Sequence, residues 1–152
     1  MNAKRLQINH LDKKLMPLYQ LGAGKTPVHG WIRTLRQALN MSQKQIGQRL
    51  GISRQGVQLL ERRESEGGIS LNSLRDVAHA MDMELVYALI PRDGSLEKLV
   101  FRKARALAES IVQRTSQSMT LEDQKVSDQR LNESIREMTE TFVRELPKSL
   151  WD

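Results

Sequence analysis

The chain has 152 residues, 39% hydrophobic and 28% charged, which suits one soluble domain with a short appendage and excludes a large multi-domain enzyme. No run approaches the roughly 18 apolar residues of a membrane span, no secretory leader is read, and the absence of cysteine excludes disulfides, Cys-based zinc and thiol nucleophiles, pointing to a reducing cytoplasm. The net charge of +6 is uneven: residues 1–63 hold 12 Lys plus Arg against Asp12 and Glu61, a balance of +10, whereas the other 89 hold 12 basic and 16 acidic residues, a balance of −4. Such a distribution favours a polyanionic partner for the first part of the chain and a different one for the second.

Apolar residues recur at spacings of three and four along most of the length, which predicts a mainly α chain. Leu6, Leu11, Leu15, Leu18 and Leu21 outline an N-terminal helical segment, interrupted or bent near Pro17, where a backbone donor is lost. Residues 22–30, with Pro27, read as a linker, so that 1–29 form an N-terminal extension. Trp31, Ile32, Leu35 and Leu39 give the buried face of a helix ending about Asn40. Further helices are expected near residues 42–50, 53–63, 70–81 and 96–115.

Residues 85–90 (L-V-Y-A-L-I), closed by Pro91, predict one short β-strand. It would pair across a dimer or pack on the chain's own helices. A helix-turn-helix bundle at 30–91 and C-terminal helices at 92–152, serving dimer or partner contacts, complete the expected division. In the last helix Leu131, Ile135, Met138, Phe142 and Leu146 form an apolar stripe to be covered by the chain's own core, a second copy or another protein.

The informative segment is S-Q-K-Q-I-G-Q-R-L-G-I-S-R-Q-G-V-Q-L-L-E-R at 42–62. Read as two helices joined by a tight turn, it puts Ile46, Leu50, Val57 and Leu60 on facing stripes and the small Gly47 where the axes approach. Gly51 stands where the chain leaves the first helix in a left-handed conformation, and Ile52 plugs the angle. Ser42 and Ser53 are placed to cap the two helices by accepting bonds from orphaned N–H groups.

This segment resembles the helix-turn-helix of the phage-repressor and Cro-like family, over about residues 30–90. Gly47 stands where alanine is usual, and Gly56 where threonine or alanine is common, which removes a methyl contact to thymine. The resemblance implies that the second helix enters the major groove, with Arg54, Gln55 and Gln58 reading bases: Arg suits guanine O6 and N7, Gln suits adenine N6 and N7. Gln43, Lys44, Arg49, Ser53, Arg62 and Arg63 are the candidates for contacts to the DNA backbone. The implied partner is double-stranded DNA carrying an inverted repeat, read by a homodimer.

Other patterns carry less. The G-A-G-K-T run at 22–26 has Tyr19 where a phosphate loop needs glycine, G-I-S-R-Q-G at 51–56 is one residue too long for a nucleophile elbow, and His10, His29 and His79 have no partners at ligand spacing. Glu133, Glu137 and Glu140 share one side of the last helix as a solvated face. No catalytic residue, metal site or cofactor is therefore expected.

Four further segments, L-D-K-K-L-M-P-L at 11–18, H-G-W-I-R-T-L-R at 29–36, E-S-E-G-G-I-S-L-N-S-L at 64–74 and M-D-M-E-L-V-Y-A-L-I-P at 81–91, resemble the narrower mobile mystery protein A group. That resemblance implies an autorepressor and antitoxin paired with a Fic-domain toxin. Fic-inhibiting helices carry Ser or Thr, three residues, Glu, then Gly or Asn. Thr141 and Glu145 fit the first part but precede Leu146, and Ser118 and Glu122 precede Asp123.

Overall fold

The computed structural model describes residues 2–21, 26–121 and 127–152, and among them it contains seven α-helices and a closing 3-10 helix but no β-strand. The helices are α1 (Ala3–Gln20), α2 (Trp31–Ala38), α3 (Gln43–Leu50), α4 (Arg54–Ser65), α5 (Leu71–Ala80), α6 (Leu96–Leu121) and α7 (Asp128–Glu145), followed by the 3-10 helix Lys148–Trp151. Residues 22–25 of the loop-like G-A-G-K-T run, and Glu122 and Asp123 of the second Fic-like pattern, lie outside the described residues. None of these helices is long and apolar enough to cross a membrane. Two compact units result: Gly24–Tyr87, and Met1–Ala23 together with Ala88–Asp152.

Helix starts follow local chemistry. Ser42, Ser53, Ser70 and Ser127 each stand at an N-cap with extended backbone, their side chains accepting from Gln45, Gly56, Ser73 and Arg130 N–H. At α3 the Gln45 side chain returns a bond to the Ser42 N–H (2.8 Å), completing a capping box.

In the Gly24–Tyr87 unit Ile32, Ile46, Val57, Val77 and Met81 form the buried core, with Leu35, Met41, Leu50, Leu60, Ile69, Leu74 and Met83 packed around it. The four residues expected on facing stripes are all there. Trp31 and Leu39 are not: both are about half exposed, so the buried face of α2 narrows to Ile32 and Leu35. Helix α2 has no local cap. Its first amides are bonded instead by the Glu64 carboxylate from the far end of α4, with Trp31 N–H to Oε1 at 2.8 Å and Ile32 N–H to Oε2 at 2.9 Å. Gly30, at φ +81°, makes room, since a Cβ there would lie 2.7 Å from Glu64 Oε2.

In the other unit α6 buries Val100, Ala104, Ala108 and Val112 at four-residue spacing and packs most extensively along α7. The α7 stripe of Leu131, Ile135, Met138, Phe142 and Leu146 is half-buried, so this unit itself provides cover for it. Helix α1 also packs on α6, and Asp12 caps α6 by accepting from the N–H groups of Leu96 (2.6 Å) and Glu97 (3.1 Å). Asp93 binds Arg102 through both oxygens (2.7 and 3.0 Å), and that hydrogen bonding holds its carboxyl below the ordinary value.

Two expectations change: the interruption of α1 at Pro17 and the strand at 85–90. Helix α1 runs through Pro17 without interruption; Lys13 and Pro17 are both exposed, so water can serve the carbonyl that the missing N–H leaves behind. Within α1, Leu15 and Leu18 are half-buried, whereas Leu6 and Leu11, like Leu21 just beyond it, are exposed. Residues 83–90 form no strand, because a strand needs a neighbour to bond and the described residues offer none.

Glu64→Ala should lower the stability of the Gly24–Tyr87 unit by about 1–2 kcal/mol, the worth of a lost N-cap, seen as a lower urea midpoint at unchanged slope. Gly30→Ala should be worse, since it adds a positive φ and a clash to the same loss. A Glu64→Ala protein melting with the wild type would refute the cap.

Candidate nucleic-acid interface

The turn between α3 and α4 is set by three residues. Gly51 takes the left-handed conformation at φ +70°, and the Ile52 N–H bonds back to the Gly47 carbonyl at 2.9 Å. A Cβ on Gly47 would lie 2.7 Å from the Ile52 carbonyl oxygen, so the absent methyl is what lets the chain leaving the turn fold back over α3. Ile52 is 40% exposed and only partly plugs the angle. A Cβ on Gly56 would meet the Ile52 side chain at 3.2 Å, so a methyl at that position would pack against Ile52.

A polar network then joins α2, α3 and α4. The Arg36 guanidinium bonds both Glu61 oxygens (2.5 and 3.3 Å) with side-chain exposures of 13% and 7%, and a further Arg36 nitrogen donates to the Met41 carbonyl at 3.1 Å. Gln43 Nε2 donates to Glu61 Oε2 at 3.0 Å, and Gln43 Oε1 accepts from Arg54 Nε at 3.4 Å. The acceptor Glu61 thereby fixes which end of the Gln43 amide faces Arg54.

Seven of the predicted positions and neighbours line one open groove: Gln43 and Lys44 from the start of α3, and Arg54, Gln55, Gln58, Leu59 and Arg62 from α4. His29, Arg33, Arg36, Ser42, Glu61 and Ser65 complete it. Ser53 sits at the turn with its hydroxyl occupied as the α4 cap (3.0 Å to Gly56 N–H). Arg49 lies elsewhere, donating to the Ala80 carbonyl at the end of α5 (2.8 Å) and to Asp82 (3.4 Å). Arg63 is exposed but not among the groove residues. Thr141 and Glu145 belong to α7 in the other unit; the Thr141 hydroxyl donates to the Glu137 carbonyl at 3.0 Å, and Glu145 is exposed.

Sequence reading missed Arg33, Arg36, His29 and Leu59 as groove residues. Leu59 was within reach, being four residues after Gln55 and so on the same helix face. Arg33 is exposed and Arg36 is half-buried one turn after Ile32, and nothing local to α2 tells which neighbours the two arginines meet.

The charge distribution is also redrawn. The Gly24–Tyr87 unit holds nine basic and six acidic residues, a balance of +3. The other unit carries the remaining +3 of the total, so the sharp division at residue 63 does not follow the fold. What is concentrated is the groove, where Arg33, Arg36, Lys44, Arg54 and Arg62 meet the single acid Glu61, itself bound to Arg36. Among the described residues no three His, Asp or Glu side chains converge as a metal site.

Residues 32–87, running from α2 past α5, match the helix-turn-helix family. No curated protein and no solved structure matches the chain. The match reaches the broad family and lends nothing to the narrower mobile mystery protein A group.

Glu61→Ala leaves Arg36 buried without its partner and should cost about 3–5 kcal/mol of stability by urea unfolding. Replacing both together, Arg36→Met with Glu61→Leu, should recover most of that loss while still releasing Gln43. Equal melting of the single variant and the wild type would show the pair to be dispensable.

Proposed function

We propose that the Gly24–Tyr87 unit binds double-stranded DNA in a sequence-specific manner and that the protein is a transcriptional regulator, acting as a homodimer on an inverted repeat. The observation that carries this reading is the groove, in which the exposed Arg54, Gln55 and Gln58 of α4 stand beside Gln43 and Lys44 at the start of α3. Helix α4 is the element that enters the major groove. Gln55 and Gln58 suit adenine, and Arg54 suits guanine, each good bidentate pair discriminating by about 1–3 kcal/mol. The half-exposed Leu59 offers an apolar surface to a thymine methyl.

Backbone contacts follow from a different chemistry. Ser42 and Gln45 occupy each other, which leaves the first amides of α3, those of Gln43 and Lys44, directed at a phosphate. Lys44, Arg33 and Arg62 add charge around that point. Arg49, bonded to Ala80 and Asp82, is better suited to holding α3 on α5 than to a phosphate, and Arg63 and Ser53 flank the interface. Two copies reading half-sites about 34–36 Å apart would enter successive major grooves on one face of the duplex.

An autorepressor and antitoxin role belongs to the narrower sequence resemblance. Direct inhibition of a Fic-domain toxin by Thr141 and Glu145 is no part of this reading, because the Thr141 hydroxyl is already engaged by its own helix.

Selection of sites from a random duplex library at physiological salt should return one palindromic motif. On that motif Arg54→Ala and Gln55→Ala should each lower the ratio of specific to random binding by about ten- to a hundredfold. Lys44→Ala should weaken both duplexes alike and reduce the salt slope by about one. Equal loss on specific and random DNA for Gln55→Ala would remove it from base reading, and a library that yields no motif would defeat the proposal.

A further inference from the structure

Residues 84–90 form a run without helix, turn or bend in which no backbone group is bonded to another among the described residues. The run is rich in strand formers, and Val86, Tyr87 and Leu89 are 71%, 64% and 90% exposed. The other described non-helical segments are short turns and caps, so no second extended run of this length is present to pair with it. What fits a row of open N–H and C=O groups is another extended backbone.

The charges at its ends are unlike. Asp82 is paired with Arg49 and Asp93 with Arg102, which leaves the exposed Glu84 at the start and the exposed Arg92 just past the end. A second copy laid antiparallel turns each Glu84 toward the other's Arg92, whereas a parallel copy sets like beside like.

We propose that residues 84–90 pair antiparallel with the same residues of a second copy, making a two-stranded ribbon across a twofold axis. This rests on the reading of the protein as a dimeric regulator and supplies its interface. Antiparallel self-pairing is isologous, as a twofold axis requires. Backbone bonds hold the pair together and burial of Val86, Tyr87 and Leu89 strengthens it. Met83, packed against the helix-turn-helix core, and the half-buried Leu85 anchor the ribbon, which matters because a free two-stranded pair is marginal in water. Pro91, with no N–H, ends the ladder.

The test is sedimentation equilibrium of the full chain without DNA, with backbone amide exchange followed over the same concentrations. The expected result is a dimer in which every second amide of residues 84–90, those facing the partner strand, is protected only where the dimer is populated. Val86→Pro removes a ladder donor and should raise the dimer Kd by about tenfold or more. Glu84→Arg should raise it by about threefold or more, and the combination with Arg92→Glu should restore it. Both variants should keep the wild-type circular dichroism, because the run bonds nothing within its own copy. A monomeric wild type, or a dimer indifferent to both variants, overturns the proposal. Because no DNA enters the measurement, its failure is separate from a failure of the site selection.

Discussion

Three helices of the helix-turn-helix unit are tied to one carboxylate. Glu61 of α4 accepts from Arg36 of α2 and from Gln43 of α3, so the angle between the two helices of the motif and their seat on α2 depend on a single acid. Burying an ion pair is not in itself stabilising, since desolvation offsets much of the attraction. The gain lies in geometry. With its nitrogen held by Glu61, Gln43 presents its oxygen to Arg54 and so steadies that side chain at the groove.

The same logic accounts for where the other acids sit. Glu64 closes the start of α2, Asp12 the start of α6, and Asp82 partners Arg49. Each stands where a helix dipole or a cation asks for a negative charge, which keeps Glu64 and Asp82 of the same unit off the groove. A modest balance of +3 in the unit is then enough to make that face positive, because what a polyanion meets is the local field and not the sum.

Much of the fold was legible because its determinants are local. Serine caps, apolar spacing and the Gly51 turn lie within a few residues of the helices they shape, and the helix ends fall within a turn or so of their expected places in α2 to α5. The rest was not legible because its partners are far apart in sequence. Nothing near Trp31 announces that Glu64 will cap it, nothing near Leu96 points to Asp12, and nothing near Arg36 hints at Glu61. For the candidate site this means that the local pattern of α4 places Arg54, Gln55 and Gln58 on one groove, whereas the reach of Arg49 to the end of α5 is a tertiary fact that no local pattern carries. The run at 85–90 failed for another reason: strand propensity describes a willingness to pair, and a single copy offers no partner.

The two helix glycines show how one side chain can decide the spacing of two helices. Each costs about 1 kcal/mol of helix propensity relative to alanine. Both face Ile52: Gly47 through its carbonyl and Gly56 through its side chain. Together they let that residue sit between α3 and α4 at a separation which a methyl on either helix would widen. Any such widening would move Arg54 away from Gln43, across a contact already at 3.4 Å. The glycines therefore act on the groove through the distance between the helices, although neither of them lines it.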